Sequence, residues 1–197
     1  MRDCCEVRPI ESRQRAVLQV VLAVNLAMFL AEFAGGLLAH STSLLADSVD
    51  MLGDAIVYGV SLYALGRGAA WQARAATLKG WIMAAFGTGV AVEVIAKLAR
   101  GVTPSADVIG GVGLLALAAN VSVLLILSHH RADDVNMRSV WLCSRNDVVA
   151  NLGVIAAAIG VRATDAAWPD IVAGAAIAAL FLSSAVGVLR GASFARA

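Results

Sequence analysis

Charge is scarce in this chain. Asp, Glu, Lys and Arg together make up 15% of its 197 residues, against about 25% in an average soluble protein. A water-soluble domain of this length would have too little polar surface to cover itself. No excess of one sign is present either. The net charge is +1, without the concentrated basic face that nucleic-acid binding needs, so no nucleic-acid partner is expected. Cysteine is too rare for a disulfide framework, with only Cys4, Cys5 and Cys143. Proline occurs three times, always outside the apolar runs. The period-two alternation of membrane barrel strands is also missing. What is abundant is apolar: 60% of residues are hydrophobic and the mean hydropathy is +0.81. That excludes disorder and predicts one polytopic membrane domain, with no room for a second folded domain.

Six continuous Ala/Leu/Val/Gly-rich runs fall at 16–39, 44–66, 78–95, 106–128, 139–161 and 171–189. Each is near the roughly 20 residues that a bilayer-spanning helix requires. The expected fold is therefore all-α, a six-helix membrane domain over 16–190 between short tails at 1–15 and 191–197. The first run exceeds an ordinary signal-peptide core and carries Asn25 and Glu32. Eleven Lys and Arg residues fall on the side of both tails and only three on the other, with Arg145 inside a run, so both termini are expected in the cytoplasm. Trp71, Trp81, Trp141 and Trp168 sit near predicted helix ends, as interface anchors do. Recurring glycines, among them Gly35, Gly36 and Gly174, permit close helix approach.

Acidic residues inside the apolar runs stand out. Helix two contains Asp47, Asp50 and Asp54, helix five contains Asp147 beside Arg145, and helix one contains Glu32. A charge at the bilayer centre is costly, so such residues are functional by default. Asp50 and Asp54 lie about 40° apart on one helical face, with Asp47 within about 60° of it. On helix five, Cys143, Asp147 and Asn151 form a stripe at four-residue spacing, with Arg145 on the opposite side. Two helices thus each offer a polar stripe near mid-membrane, enough between them for four ligands to one ion. Carboxylates alone suit hard ions or protons; a thiol among them tilts the set toward Zn²⁺, Cd²⁺, Co²⁺ or Fe²⁺. Glu93 and Lys97, four apart, read as an ordinary ion pair.

The stretch His40-Ser41-Thr42-Ser43-Leu44-Leu45-Ala46-Asp47-Ser48-Val49-Asp50-Met51-Leu52-Gly53-Asp54 resembles the signature of the cation diffusion facilitator family. There a Ser-x-Ser/Ala-Leu-Leu-Ala-Asp stretch opens helix two and a His-or-Asp-x-x-x-Asp pair binds metal. Asn25, Glu32 and Gly36 also resemble the family's first helix. On helix five, Asp147 fits the second member of a similar pair, followed by Gly153-Val154-Ile155. The resemblance covers roughly residues 16–190 and implies Asp50, Asp54 and Asp147 as metal ligands. Cys143 stands where the family has His or Asp. Depth along the helices favours Asn151 as the fourth ligand, whereas family position favours Cys143; thiolate is the stronger ligand for zinc or cadmium, so Cys143 is preferred. The cytoplasmic C-terminal domain and the His-rich loop of some relatives are expected to be absent.

Weaker ligand candidates are Asp47, Asn151, the loop residues His129 and His130 beside Asp133 and Asp134, and the tail thiols Cys4 and Cys5. The leading expectation is a divalent-metal exporter, not an enzyme. It has no prosthetic group, moves Zn²⁺, Cd²⁺, Co²⁺ or Fe²⁺ against protons, and works as a homodimer in the plasma membrane (the inner membrane if bacterial). Metal binding expels protons from its ligands, which gives such an antiporter its exchange. Two other readings are a non-transporting membrane metal sensor or partner, and an intramembrane aspartyl hydrolase in which Asp54 and Asp147 share a proton. The Gly-x-Gly-Asp arrangement of intramembrane aspartyl proteases is missing.

Overall fold

The computed structural model describes residues 12–64, 69–129 and 135–194, and among these residues there is no strand. Six helices follow in order: α1 Ser12–Ala39, α2 Thr42–Ala64, α3 Ala69–Arg100, α4 Ala106–Ser128, α5 Val135–Thr164 and α6 Trp168–Phe194. Five of them contain one of the six apolar runs, and α2 covers its run from 44 to 64. α3 overruns its run by the most, at 32 residues, because the Ala-rich, Pro-free segment before it is itself strongly helix-forming.

Among the described residues, Arg15–Ala39, Ala106–Ser128 and Ser144–Thr164 are long and apolar enough to cross a membrane. α2 differs from these in carrying three Asp residues within its first four turns. Burial is inverted relative to a soluble protein. Leu30, Leu38, Val92, Leu114, Leu125 and Leu180 are exposed, while Asn25, Glu32, Asp47, Asn120, Asp147 and Asn151 are buried. An apolar coat this extensive has no stable contact with water and fits a lipid surface. The chain is a multi-pass membrane protein.

α2 is the hub, packed against α1, α3, α5 and α6. The link from α1 to it is very short. His40 turns the chain with a left-handed backbone (φ 52), a conformation in which His is enriched among non-glycine residues. Ser41 N–H then donates back to Gly36 O at 2.9 Å. Across the bundle, the first turn of α6 seals the start of α2. Asp170 accepts from the Ser41 hydroxyl at 2.6 Å, the Thr42 hydroxyl at 2.8 Å and the Ser43 hydroxyl at 2.5 Å. It also accepts the Thr42 and Ser43 backbone N–H groups at 2.7 and 3.2 Å. The free N–H groups at a helix start need such an acceptor. Here it comes from a different helix. Lys97 of α3 completes the cluster, donating to Asp170 at 2.7 Å and to His40 O. The Ser-x-Ser element of the signature therefore has a structural purpose: its hydroxyls tie α2 to α6. Lys97, expected in an ordinary pair with Glu93, is buried and bound to Asp170.

Candidate metal site

α2 carries its acids inward. Asp47 and Asp54 are buried and Asp50 is half-buried. α5 adds Asp147 and Asn151, α4 adds Asn120 and α1 adds Glu32, all buried. The α1 contribution follows from its sequence: Leu18, Val21, Asn25, Met28, Glu32, Gly35 and Ala39 recur every three or four residues and form its buried face. Arg145 behaves as the helical arithmetic predicts. It is exposed, with its guanidinium 5.8 Å from the centroid of the Trp141 ring.

A hydrogen-bonded chain crosses three helices. Asn120 Nδ2 donates to Asn151 Oδ1 at 2.8 Å, and Asn151 Nδ2 donates to Asp47 Oδ2. Two of the weaker ligand candidates, Asp47 and Asn151, are thus brought together, and the Asn151 amide is engaged at both ends. Asp54 Oδ2 accepts from the Tyr58 hydroxyl at 2.8 Å, one turn along α2. Asp147 lies within electrostatic reach of Asp54, Asp50 and Asp47, and Glu32 within reach of Asp47, Asp147 and Asp50. Among the described residues the only buried basic side chain is Lys97, which is held by Asp170. The interior is therefore strongly acidic among the described residues, an arrangement that attracts cations.

The acids share a region without yet enclosing a point. Among the described residues no three His, Cys, Asp or Glu side chains are gathered closely enough to hold a metal ion. Cys143 lies on α5 one turn before Asp147, but its side chain is outside the described set. His129 is exposed at the end of α4, away from this cluster in sequence and burial. His130, Cys4 and Cys5 lie outside the described residues, as do Asp133 and Asp134. Sequence reasoning had no place for Asn120 or Asp170. Single polar residues in or beside apolar runs carry no spacing signal, and their partners are remote in sequence.

Comparison with known proteins identifies the family. The cation efflux transmembrane domain matches residues 18–194. The metal cation efflux system protein CzcD of Cupriavidus metallidurans is 29% identical over 165 residues, covering 78% of this chain and 52% of that protein. The cation efflux system protein CzcD of an Alcaligenes species matches to the same extent. The chain spans about half the length of the curated relatives it matches. With the matched range running from within α1 to the end of α6, and the acids of α1, α2 and α5 on its inner faces, the chain belongs to the cation efflux family, the cation diffusion facilitators.

Proposed function

We propose that this protein exports divalent transition-metal cations from the cytoplasm in exchange for protons. The transport site is built by Asp50 and Asp54 of α2 with Asp147 and Cys143 of α5. The carrying observation is the acidic interior: buried carboxylates from three helices, with the only buried basic side chain among the described residues already bound to Asp170. Carboxylates with one thiol suit Zn²⁺, Cd²⁺, Co²⁺ or Fe²⁺. The names of the curated relatives, which speak of metal cation efflux, support the same reading. The six helices span the plasma membrane with both ends cytoplasmic, in keeping with the excess of Lys and Arg on that side, and two copies form a dimer.

In this cycle the ion enters from the cytoplasm and displaces protons from Asp50, Asp54 and Asp147. Drawing Asp54 and Asp147 together on the ion closes the site. The bundle then rocks and releases the ion outside, where protons rebind. The test is metal uptake into inverted vesicles with an imposed pH gradient. Zn²⁺ or Cd²⁺ should accumulate in an Asp54-dependent manner, and an ionophore that collapses the gradient should abolish the initial rate. Flux that ignores both the ionophore and Asp54→Asn would sink the proposal.

A further inference from the structure

Glu32 has no role in the four-ligand site, yet among the described residues it is the buried side chain with the most unpartnered polar atoms. It is fully buried, and neither carboxylate oxygen has a hydrogen-bond partner. Asp47 is equally buried; its Oδ2 is taken by Asn151 and its Oδ1 has no partner. Leaving buried acceptors unpaired is costly, and more so when they are charged.

Helix register places these two side chains at one level. α1 and α2 run antiparallel around the His40 turn. A Cβ on Gly36 would touch Leu45, and Met28 packs in one cluster with Met51. Glu32 lies midway between Gly36 and Met28, so it falls opposite the segment midway between Leu45 and Met51, which holds Asp47. The rise per residue agrees: Glu32 is about 10 Å from the end of α1 and Asp47 about 8 Å from the start of α2. The other charged groups acting on Glu32, Asp147 and Asp50, are also acidic, and the one buried basic side chain among the described residues, Lys97, is held by Asp170.

We infer that Glu32 and the free oxygen of Asp47 form an all-oxygen subsite for a divalent cation, beside the Asp50–Asp54–Asp147 site and nearer the junction of α1 and α2. One divalent ion satisfies three orphaned oxygens at once and offsets two buried charges, which no hydrogen bond from the described residues does. Carboxylate oxygens without sulfur or nitrogen suit a hard ion. That the occupant is a divalent ion rests on the transport reading, whereas the subsite itself stands on burial and register. Along the transport route it is a second station, occupied before release.

Mn²⁺ alone is a suitable probe, because it is hard and its free form gives a paramagnetic resonance signal. The full chain in lipid nanodiscs is titrated with Mn²⁺. Glu32→Gln and Asp47→Asn should each weaken binding of the same Mn²⁺ equivalent by at least about tenfold, while Asp54→Asn, which should stop Zn²⁺ flux, should retain it. If Glu32→Gln binds Mn²⁺ like the parent, or alters only the proton dependence of flux, the subsite is refuted. Should Glu32→Gln fail to assemble, Glu32→Asp and Asp47→Asn decide by the same titration. Loss of flux in Asp54→Asn tests the transport reading separately, so the two cannot fail unnoticed together.

Discussion

The carboxylate of Asp170 and the ammonium of Lys97 meet at 2.7 Å, both almost wholly shielded from solvent. They join α6 to α3, and through the Ser41, Thr42 and Ser43 hydroxyls the same carboxylate grips the start of α2. A buried pair of this kind is weak evidence of net stability, because desolvation opposes the attraction. Breaking it from one side is different, since an unpaired buried charge remains. Asp170→Ala should destabilise the folded protein by about 3–5 kcal/mol. Replacing both partners with apolar residues should be far milder than the sum of the single changes. Thermal unfolding in nanodiscs across the double-mutant cycle checks this; additive losses would mean that the two residues act independently.

Gly174 gives a steric counterpart to that polar clamp. A Cβ there would stand 2.7 Å from the Thr42 carbonyl carbon and 2.8 Å from its oxygen. Those are backbone atoms of α2's first turn, so they cannot swing aside as a side chain does. Gly174→Ala should force α6 away from α2 and destabilise by about 1–3 kcal/mol. Gly111, which has nothing within 4 Å of its added Cβ, serves as the matched control. An equally mild effect at both positions would show that the close approach of α6 is not needed.

The helices were legible because apolar runs of membrane length carry their own signal, and Asp50, Asp54 and Asp147 because charges are rare inside them. Arg145 was placed on the outer side by helical phase alone. What stayed hidden depends on contacts distant in sequence. Nothing near Asp170 announces that its partners lie at 41–43 and 97. Four-residue spacing is the only neighbourhood that a sequence displays, so it offers Glu93 to Lys97 and gives no sign of the ammonium's contact with Asp170 on another helix. Glu32 was conspicuous as a charge. Its position opposite Asp47 needed the α1–α2 register, which the Gly36–Leu45 contact fixes.

Tyr58 offers a test of how Asp54 is held. Its hydroxyl donates to Asp54 Oδ2 at 2.8 Å from a fully buried ring. Tyr58→Phe keeps the ring and removes only this donor. Partners that orient a ligand typically contribute about 10–100-fold in metal affinity, so the half-saturating Zn²⁺ concentration should rise within that range. Stability should fall by only about 1 kcal/mol. Unchanged Zn²⁺ dependence in vesicle flux would remove Tyr58 from the site's support and weaken the case for Asp54 as a ligand held in place.

Cys143 is the sharpest remaining choice. It lies one turn from Asp147 on α5, while Asn151 lies one turn the other way. The Asn151 carbonyl already accepts from Asn120 and its amide already donates to Asp47, so coordinating a metal would break an existing chain. Thiolate is also a far stronger ligand than a neutral amide for soft or borderline ions. Cys143→Ser should therefore weaken Cd²⁺ transport more than Zn²⁺ transport, since sulfur matters most to the softer ion. Cys143→His should keep Zn²⁺ transport and lower the relative preference for Cd²⁺, because imidazole suits zinc well. Competition between the two metals in the same vesicles measures both effects. If Cys143→Ala leaves the kinetics of both metals unchanged while Asn151→Ala abolishes them, the fourth ligand moves about two turns along α5 to Asn151 and Cys143 becomes a packing residue.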